Sequence, residues 1–149
     1  MYVLDTNILV AALWSRNGAS FEIVLRAIAR ELPFAVSVAL ALEYEDVLKR
    51  AAMREASWAG PGELDALLDG LLAAAAKIMP IRTRLRPTLR DPGDDMVLEC
   101  AVQSGADAIV TMNVRDFSEA KAIYRIEVLR PGELLARLAE ARFSEGRQP

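Results

Sequence analysis

The sequence predicts an α/β domain of three layers, α/β/α, around a central parallel sheet of about five strands. Two observations carry that prediction. Short apolar runs rich in β-branched residues alternate with longer stretches of helical period, and no two runs lie close enough to form a hairpin. The chain's 149 residues, 53% of them hydrophobic, suffice for one core without disulfides or a structural metal. Strand and helix alternating without hairpins is the pattern of parallel βαβ units.

In chain order, strands are expected at residues 2–4, 35–38, 77–81, 108–110 and 126–129. Between the first two, Phe21, Val24, Leu25 and Ile28 fall at the i, i+3, i+4, i+7 spacing of a helix face. After the second, Tyr44, Val47, Leu48 and Ala51 make another stripe. Pro61 stands where a first helical turn would begin, followed by Leu64, Leu67, Leu68, Leu71 and Leu72. Val97, Leu98, Ala101 and Val102 mark the next helix, and a last one starts near Pro131. Segment 82–91 is the longest expected loop. There is no repeat and no linker, so residues 1–143 are expected to be one domain and 144–149 a frayed polar tail.

Composition removes several functions. Lys and Arg number 18 against 21 acids, a net charge of −3, so the overall basic signature of a nucleic-acid binder is missing and any such contact must be local. The chain has no histidine, which excludes Ser-His-Asp and Cys-His nucleophiles and the common zinc sites. Its single cysteine, Cys100, can form no internal disulfide and reads as a buried helix residue. No apolar run approaches the ~18 residues of a membrane span, and no signal peptide is evident, so a cytoplasmic protein is expected. Chemistry here has to rest on carboxylates.

Those acids fall where an α/β sheet binds ligands, outside the carboxyl ends of its strands. Asp5 closes the first strand, in Leu4-Asp5-Thr6-Asn7, although Asp, Thr and Asn are also ordinary helix caps. In the third helix, Glu45 with Lys49 and Asp46 with Arg50 are i, i+4 ion pairs of the favourable orientation, whereas Glu43 has Val47 four residues on and borders the apolar stripe without a partner. Asp91-Pro92-Gly93-Asp94-Asp95 precedes the helix of Val97. A cap accounts comfortably for one Asp there and less comfortably for two. Finally Thr111 ends a strand, and Asn113 and Asp116 follow at the same edge as Asp5, in positions that also suit turn residues.

Leu4 to Asn7, Ser37 to Tyr44, Asp91 to Asp95 and Thr111 to Phe117 together resemble the PIN-domain nucleases, especially the VapC-like toxins of toxin–antitoxin systems, over nearly the whole chain. The resemblance implies that the family's acids fall on Asp5, Glu43, Asp95 and Asp116, with Asp5, Asp95 and Asp116 as metal ligands. Asp95 is preferred to Asp94 because it is read as directly preceding the helix. Thr6, Asn7, Thr111 and Asn113 are the implied supporting residues. Some family members carry an Asp where this chain has Asn113. The resemblance further implies an endoribonuclease of single-stranded or looped RNA, a small antitoxin partner that occludes the cleft, and a homodimer.

Physical chemistry agrees. Converging carboxylates raise one another's pKa, a divalent cation keeps them ionised, and an all-oxygen donor set selects Mg²⁺ or Mn²⁺, as one or two ions. For substrate grip, Arg82, Arg84 and Arg86 alternate, so an extended segment would present them on one side with Arg90 beyond, either as a phosphate track or as a solvated loop. Arg115 could meet phosphate or pair with Asp116. Trp14 and Trp58 read as packing residues rather than base-stacking ones. A phosphate-receiver or aspartyl phosphotransferase fits less well, since Asp5 has no second Asp two residues on, and Lys49, Lys77 and Lys121, the chain's lysines, do not end a late strand. A non-catalytic RNA- or protein-binding domain is the remaining alternative.

Overall fold

β1 (Tyr2–Leu4) is the hub of the sheet. β4 (Ala108–Val110) pairs with it in parallel, Leu4 opposite Val110, and β5 (Glu127–Leu129) pairs in parallel with β4. On its other side Tyr2 forms a single parallel bridge to Phe34 and donates its N–H to the Pro33 carbonyl at 3.0 Å. That bridge joins β2 (Ala35–Ser37) and its parallel partner β3 (Lys77–Met79). All five expected strands are present and parallel, in the order β3-β2-β1-β4-β5, but as a three-stranded and a two-stranded sheet linked by one bridge. Pro33, with no N–H, cannot extend the ladder between them. The structure is a computed structural model that describes residues 1–82, 84–85 and 88–146, apart from the side chains of Ala51, Ala52 and Arg54.

The strands are shorter than expected for local reasons. The Ser37 hydroxyl accepts the Leu40 N–H at 3.0 Å and so caps α3 (Val38–Lys49), which makes Val38 the first helical residue. Pro80 ends β3. Arg125, at φ 55°, turns the chain just before Ile126.

The helices are α1 (Thr6–Trp14), α2 (Ala19–Ile28), α3, α4 (Ala51–Ala56), α5 (Pro61–Ala74), α6 (Pro92–Ser104), α7 (Ser118–Tyr124) and α8 (Pro131–Glu145), with a short 3-10 turn at Val114–Phe117. On α2 the expected stripe is rotated. Ile23, Val24 and Ala27 face inward, Phe21 and Ile28 are half-buried, and Leu25 is 44% exposed. The third stripe is split, because Arg50 adopts an extended conformation and Ala51 opens α4. α8 runs through Glu145, with the Ser144 hydroxyl donating to the Glu140 carbonyl at 3.0 Å, and residues 147–149 of the expected tail lie outside the described residues.

α6 packs on β1, β2 and β4, spanning the seam between the two sheets, while α2 meets α1, α5 and α8. The interior holds Val3, Leu4, Val36, Ile109 and Val110 from the strands, with Phe34 and Phe117 fully buried. Each such Phe contributes roughly 1.5–3 kcal/mol. α6 ends at Gly105, whose φ of 68° is the left-handed conformation that a residue without Cβ adopts freely, and the chain then turns into β4. Among the described residues no single helix is long and apolar enough to cross a membrane. From β1 the chain moves to β2 on one side while β4 lies on the other, so the β1/β4 edge is the topological switch point.

Candidate active site

Asp5 and Thr111 are the residues that follow β1 and β4, and they meet at the switch point. The Asp5 N–H continues the ladder to the Val110 carbonyl at 2.9 Å, and the buried Thr111 hydroxyl donates to Asp5 Oδ2 at 2.7 Å. Thr111 Oγ1 in turn accepts from the Asn113 N–H at 3.0 Å and from Asn7 Nδ2 at 3.3 Å, while Asn7 Oδ1 accepts the Met112 N–H at 3.2 Å. The supporting trio Asn7, Thr111 and Asn113 therefore forms one network on Asp5. Thr6, also buried, is the first residue of α1. Beneath them, the fully buried Tyr44 donates its hydroxyl to the Leu4 carbonyl and fixes the end of β1.

Burial raises the Asp5 pKa most. The Thr111 hydroxyl and the Thr6 and Asn7 amides oppose this, and Asp116 raises it further. Glu43, half-buried on α3, is also raised, first by desolvation and next by Asp5, with Arg50 opposing. Its neighbours pair as expected, Glu45 with Lys49 at 2.5 Å and Asp46 with Arg50 at 2.8 Å.

The first turn of α6 differs from expectation. Its cap is Asp91, which accepts the Gly93 N–H at 2.8 Å, and Pro92 is the first helical residue, so Asp94 and Asp95 both lie inside the helix. Asp94 is the one that faces the other acids. Desolvation, then Asp5, Asp91 and Asp116, push its pKa up to about 7. Asp95 turns the opposite way, 2% exposed, and accepts the Leu89 N–H at 2.9 Å and the Thr88 N–H at 3.3 Å. The carboxylate of Asp95, preferred as a ligand on adjacency, is thus occupied by backbone amides, whereas Asp94 faces the other acids.

Beside this set a cleft of about 400 Å³ is lined by Arg90, Asp91, Asp94, Arg115, Asp116 and Glu119, among others. Arg82 and Arg84 are exposed outside that lining, and Arg86 lies outside the described residues. Arg115 does not pair with Asp116. Trp58 is a packing residue, edge-on to Phe21 with centroids 5.7 Å apart and its Nε1 on the Ala12 carbonyl, whereas Trp14 is exposed. The role of Tyr44 under the site is not visible in the sequence, and that of Asp91 as the cap has a signal in the Asp-Pro pair at 91–92, since Pro at a first helical position marks the residue before it as the cap.

The donors available to a metal are carboxylate oxygens from Asp5, Asp94 and Asp116, with Glu43 nearby. This set suits a hard divalent cation, whose charge would offset the rise that burial and neighbouring acids give Asp5 and Asp94. Among the described residues, no three of these groups already close on one point.

Acids from the end of β1, α3, α6 and the turn after β4, near the switch point of a parallel sheet, define an α/β domain with a carboxylate-rich candidate site. The chain belongs to the PIN-domain family, whose family model matches residues 1–115. That span includes Asp5, Glu43, Asp94 and Thr111 and ends one residue before Asp116. PIN domains are generally nucleases. No curated protein matches the chain.

Proposed function

We propose that this protein is a Mg²⁺- or Mn²⁺-dependent endoribonuclease that hydrolyses RNA phosphodiesters over Asp5, Asp94 and Asp116. The observation that supports this reading is that Asp94 and Asp116 line one cleft beside Asp5, with burial first and Asp5, Asp91 and Asp116 after it pushing Asp94 up to about 7. A bound divalent cation supplies Lewis acidity to the phosphodiester and makes water more acidic. The chain's own residues do the rest. Thr111 and Asn7 hold Asp5 in one orientation. Glu43 accepts a proton from, or orients, an attacking water, and its raised pKa suits that task. Asp94 and Asp116, which line the cleft, would hold the ion together with Asp5.

The test is cleavage of a mixed single-stranded RNA pool with Mg²⁺ or Mn²⁺, beside EDTA and the variants Asp5→Asn and Asp94→Asn. Cuts that need the metal and disappear in both variants support the reading. A second reading is a non-catalytic PIN-fold domain that binds RNA or protein, which metal-independent binding without cleavage would support. As a finer proposal, the protein is the cytoplasmic toxin of a toxin–antitoxin pair, dimeric and held inactive by a small antitoxin. Growth arrest on expression, relieved by the product of an adjacent small gene, tests that.

A further inference from the structure

Two cations line the acidic cleft without being used up by it. Arg90 and Arg115 are both exposed, one just before α6 and the other just after β4. Among the described residues neither forms an ion pair, although Asp91, Asp94, Asp116 and Glu119 line the same cleft. A guanidinium that leaves its own acids alone keeps its full fork of donors for phosphate oxygens.

Arg90 is placed by its backbone. Leu89, the buried residue before it, donates its N–H to Asp95 Oδ1 at 2.9 Å, and the Thr88 N–H reaches the same carboxylate at 3.3 Å. Further back, the Leu85 N–H donates to Glu99 Oε1 at 3.0 Å and the Arg82 N–H to Gln103 Oε1 at 2.8 Å, while Gln103 Nε2 donates to the Pro80 carbonyl at 2.5 Å. Asp95, Glu99 and Gln103 fall at i, i+4 and i+8, roughly 6 Å apart along one side of α6. Arg82, Leu85, Thr88 and Leu89 therefore lie along the helix on a ladder of side-chain acceptors. Its last rung is a carboxylate 2% exposed that grips two amides beside Arg90. Bonds to such a charged acceptor are about twice as strong as neutral ones.

We propose that Arg90 and Arg115 clamp backbone phosphates of a single-stranded RNA at the cleft, and that Asp95 is a positioning residue that holds Arg90 there. The proposal rests on the ribonuclease reading for the identity of the ligand.

The experiment is a fluorescence-anisotropy titration of a labelled oligoribonucleotide at several salt concentrations, with Ca²⁺ in place of Mg²⁺. Arg90→Ala and Arg115→Ala each weaken binding roughly tenfold and each lower the salt slope by about 0.7, the value for one single-strand phosphate contact. Arg142→Ala, on α8 and ion-paired to Glu31, changes neither. Asp95→Asn exchanges the carboxylate for a weaker, neutral acceptor of the Leu89 and Thr88 amides and loosens the corner. It weakens binding like Arg90→Ala, and the double variant is no worse than Arg90→Ala alone, because both act through one contact. Asp95→Glu, which keeps the charge but moves the corner, gives the same non-additivity if Asp95→Asn fails to fold. Arginine variants that bind like the unaltered protein overturn the clamp, and Asp95 and Arg90 effects that simply multiply overturn the positioning role. RNA cut in Mg²⁺ by a protein indifferent to Arg90 and Arg115 removes the clamp and spares the nuclease. RNA held through both arginines but never cut removes the nuclease and keeps the clamp.

Discussion

The hydroxyl of Thr111 donates to Asp5 Oδ2 at 2.7 Å across 106 residues of sequence, joining the ends of the two strands that flank the switch point. The same oxygen accepts from Asn7 and from the Asn113 amide, so its loss strands donors as well as releasing Asp5. Thr111→Val is expected to lower stability by about 1–3 kcal/mol, the range for leaving buried polar groups unpaired. Thr111→Ser, which keeps the oxygen, recovers most of it. Urea unfolding of the three proteins measures the difference, and an RNA-cleavage assay should show Thr111→Val far below Thr111→Ser.

Tyr44 acts one layer deeper. Its hydroxyl reaches the Leu4 carbonyl from a fully buried ring, so Tyr44→Phe removes the donor while preserving the packing. The expected loss is about 1–2 kcal/mol, with the urea m-value unchanged because the core keeps its shape. A midpoint equal to that of the unaltered protein would mean that the bond holds nothing in place.

Strand positions, the class of fold and the edge shared by Asp5 and Thr111 were legible because they follow from period and alternation, which tertiary packing rarely overrides. The rotation of α2 was not. Phe21, Val24, Leu25 and Ile28 satisfy a helical stripe, but Ile23 and Ala27 compete for the same face, and contact with α1, α5 and α8 decides which one turns inward. At the start of α6, adjacency suggested Asp95, while in the fold Asp94 lines the cleft and Asp95 turns to the Leu89 and Thr88 amides. Once the cap is Asp91, the residue four positions on shares the inward face with Leu98 and Glu99. The acceptor ladder had a visible trace, polar residues every fourth position in an apolar helix, but which backbone it would meet depends on the fold.

Cys100 is fully buried on α6, its Sγ 3.9 Å from the Ala35 carbonyl, and burial pushes its thiol up to about 11. At pH 8 almost no thiolate is present and a reagent has no path to it. Ellman's reagent should find no reactive thiol in the native protein and one after denaturation. Rapid native labelling would mean that α6 separates readily from β2.

Asp94 gives the stability of the metal-free protein a definite pH dependence. Its folded pKa of about 7 lies above the ordinary 3.8, so between these values the folded state binds more protons than the unfolded one. Stability from this group is fully present below pH 3.8 and is lost as pH rises through about 7. In EDTA, Asp94→Asn should therefore melt higher than the unaltered protein at pH 8, by on the order of a few degrees, and the gap should shrink toward pH 5. Divalent metal reverses the order. Binding to the folded state alone stabilises by RT ln(1 + [L]/Kd), about 2.7 kcal/mol at a hundred times Kd. Mg²⁺ or Mn²⁺ should raise the melting temperature of the unaltered protein at pH 8 and leave Asp94→Asn nearly unmoved. Asp95→Asn, whose damage is to the Leu89 corner, should start lower and still respond to metal. A metal response abolished by Asp95→Asn and retained by Asp94→Asn would return the ligand role to Asp95.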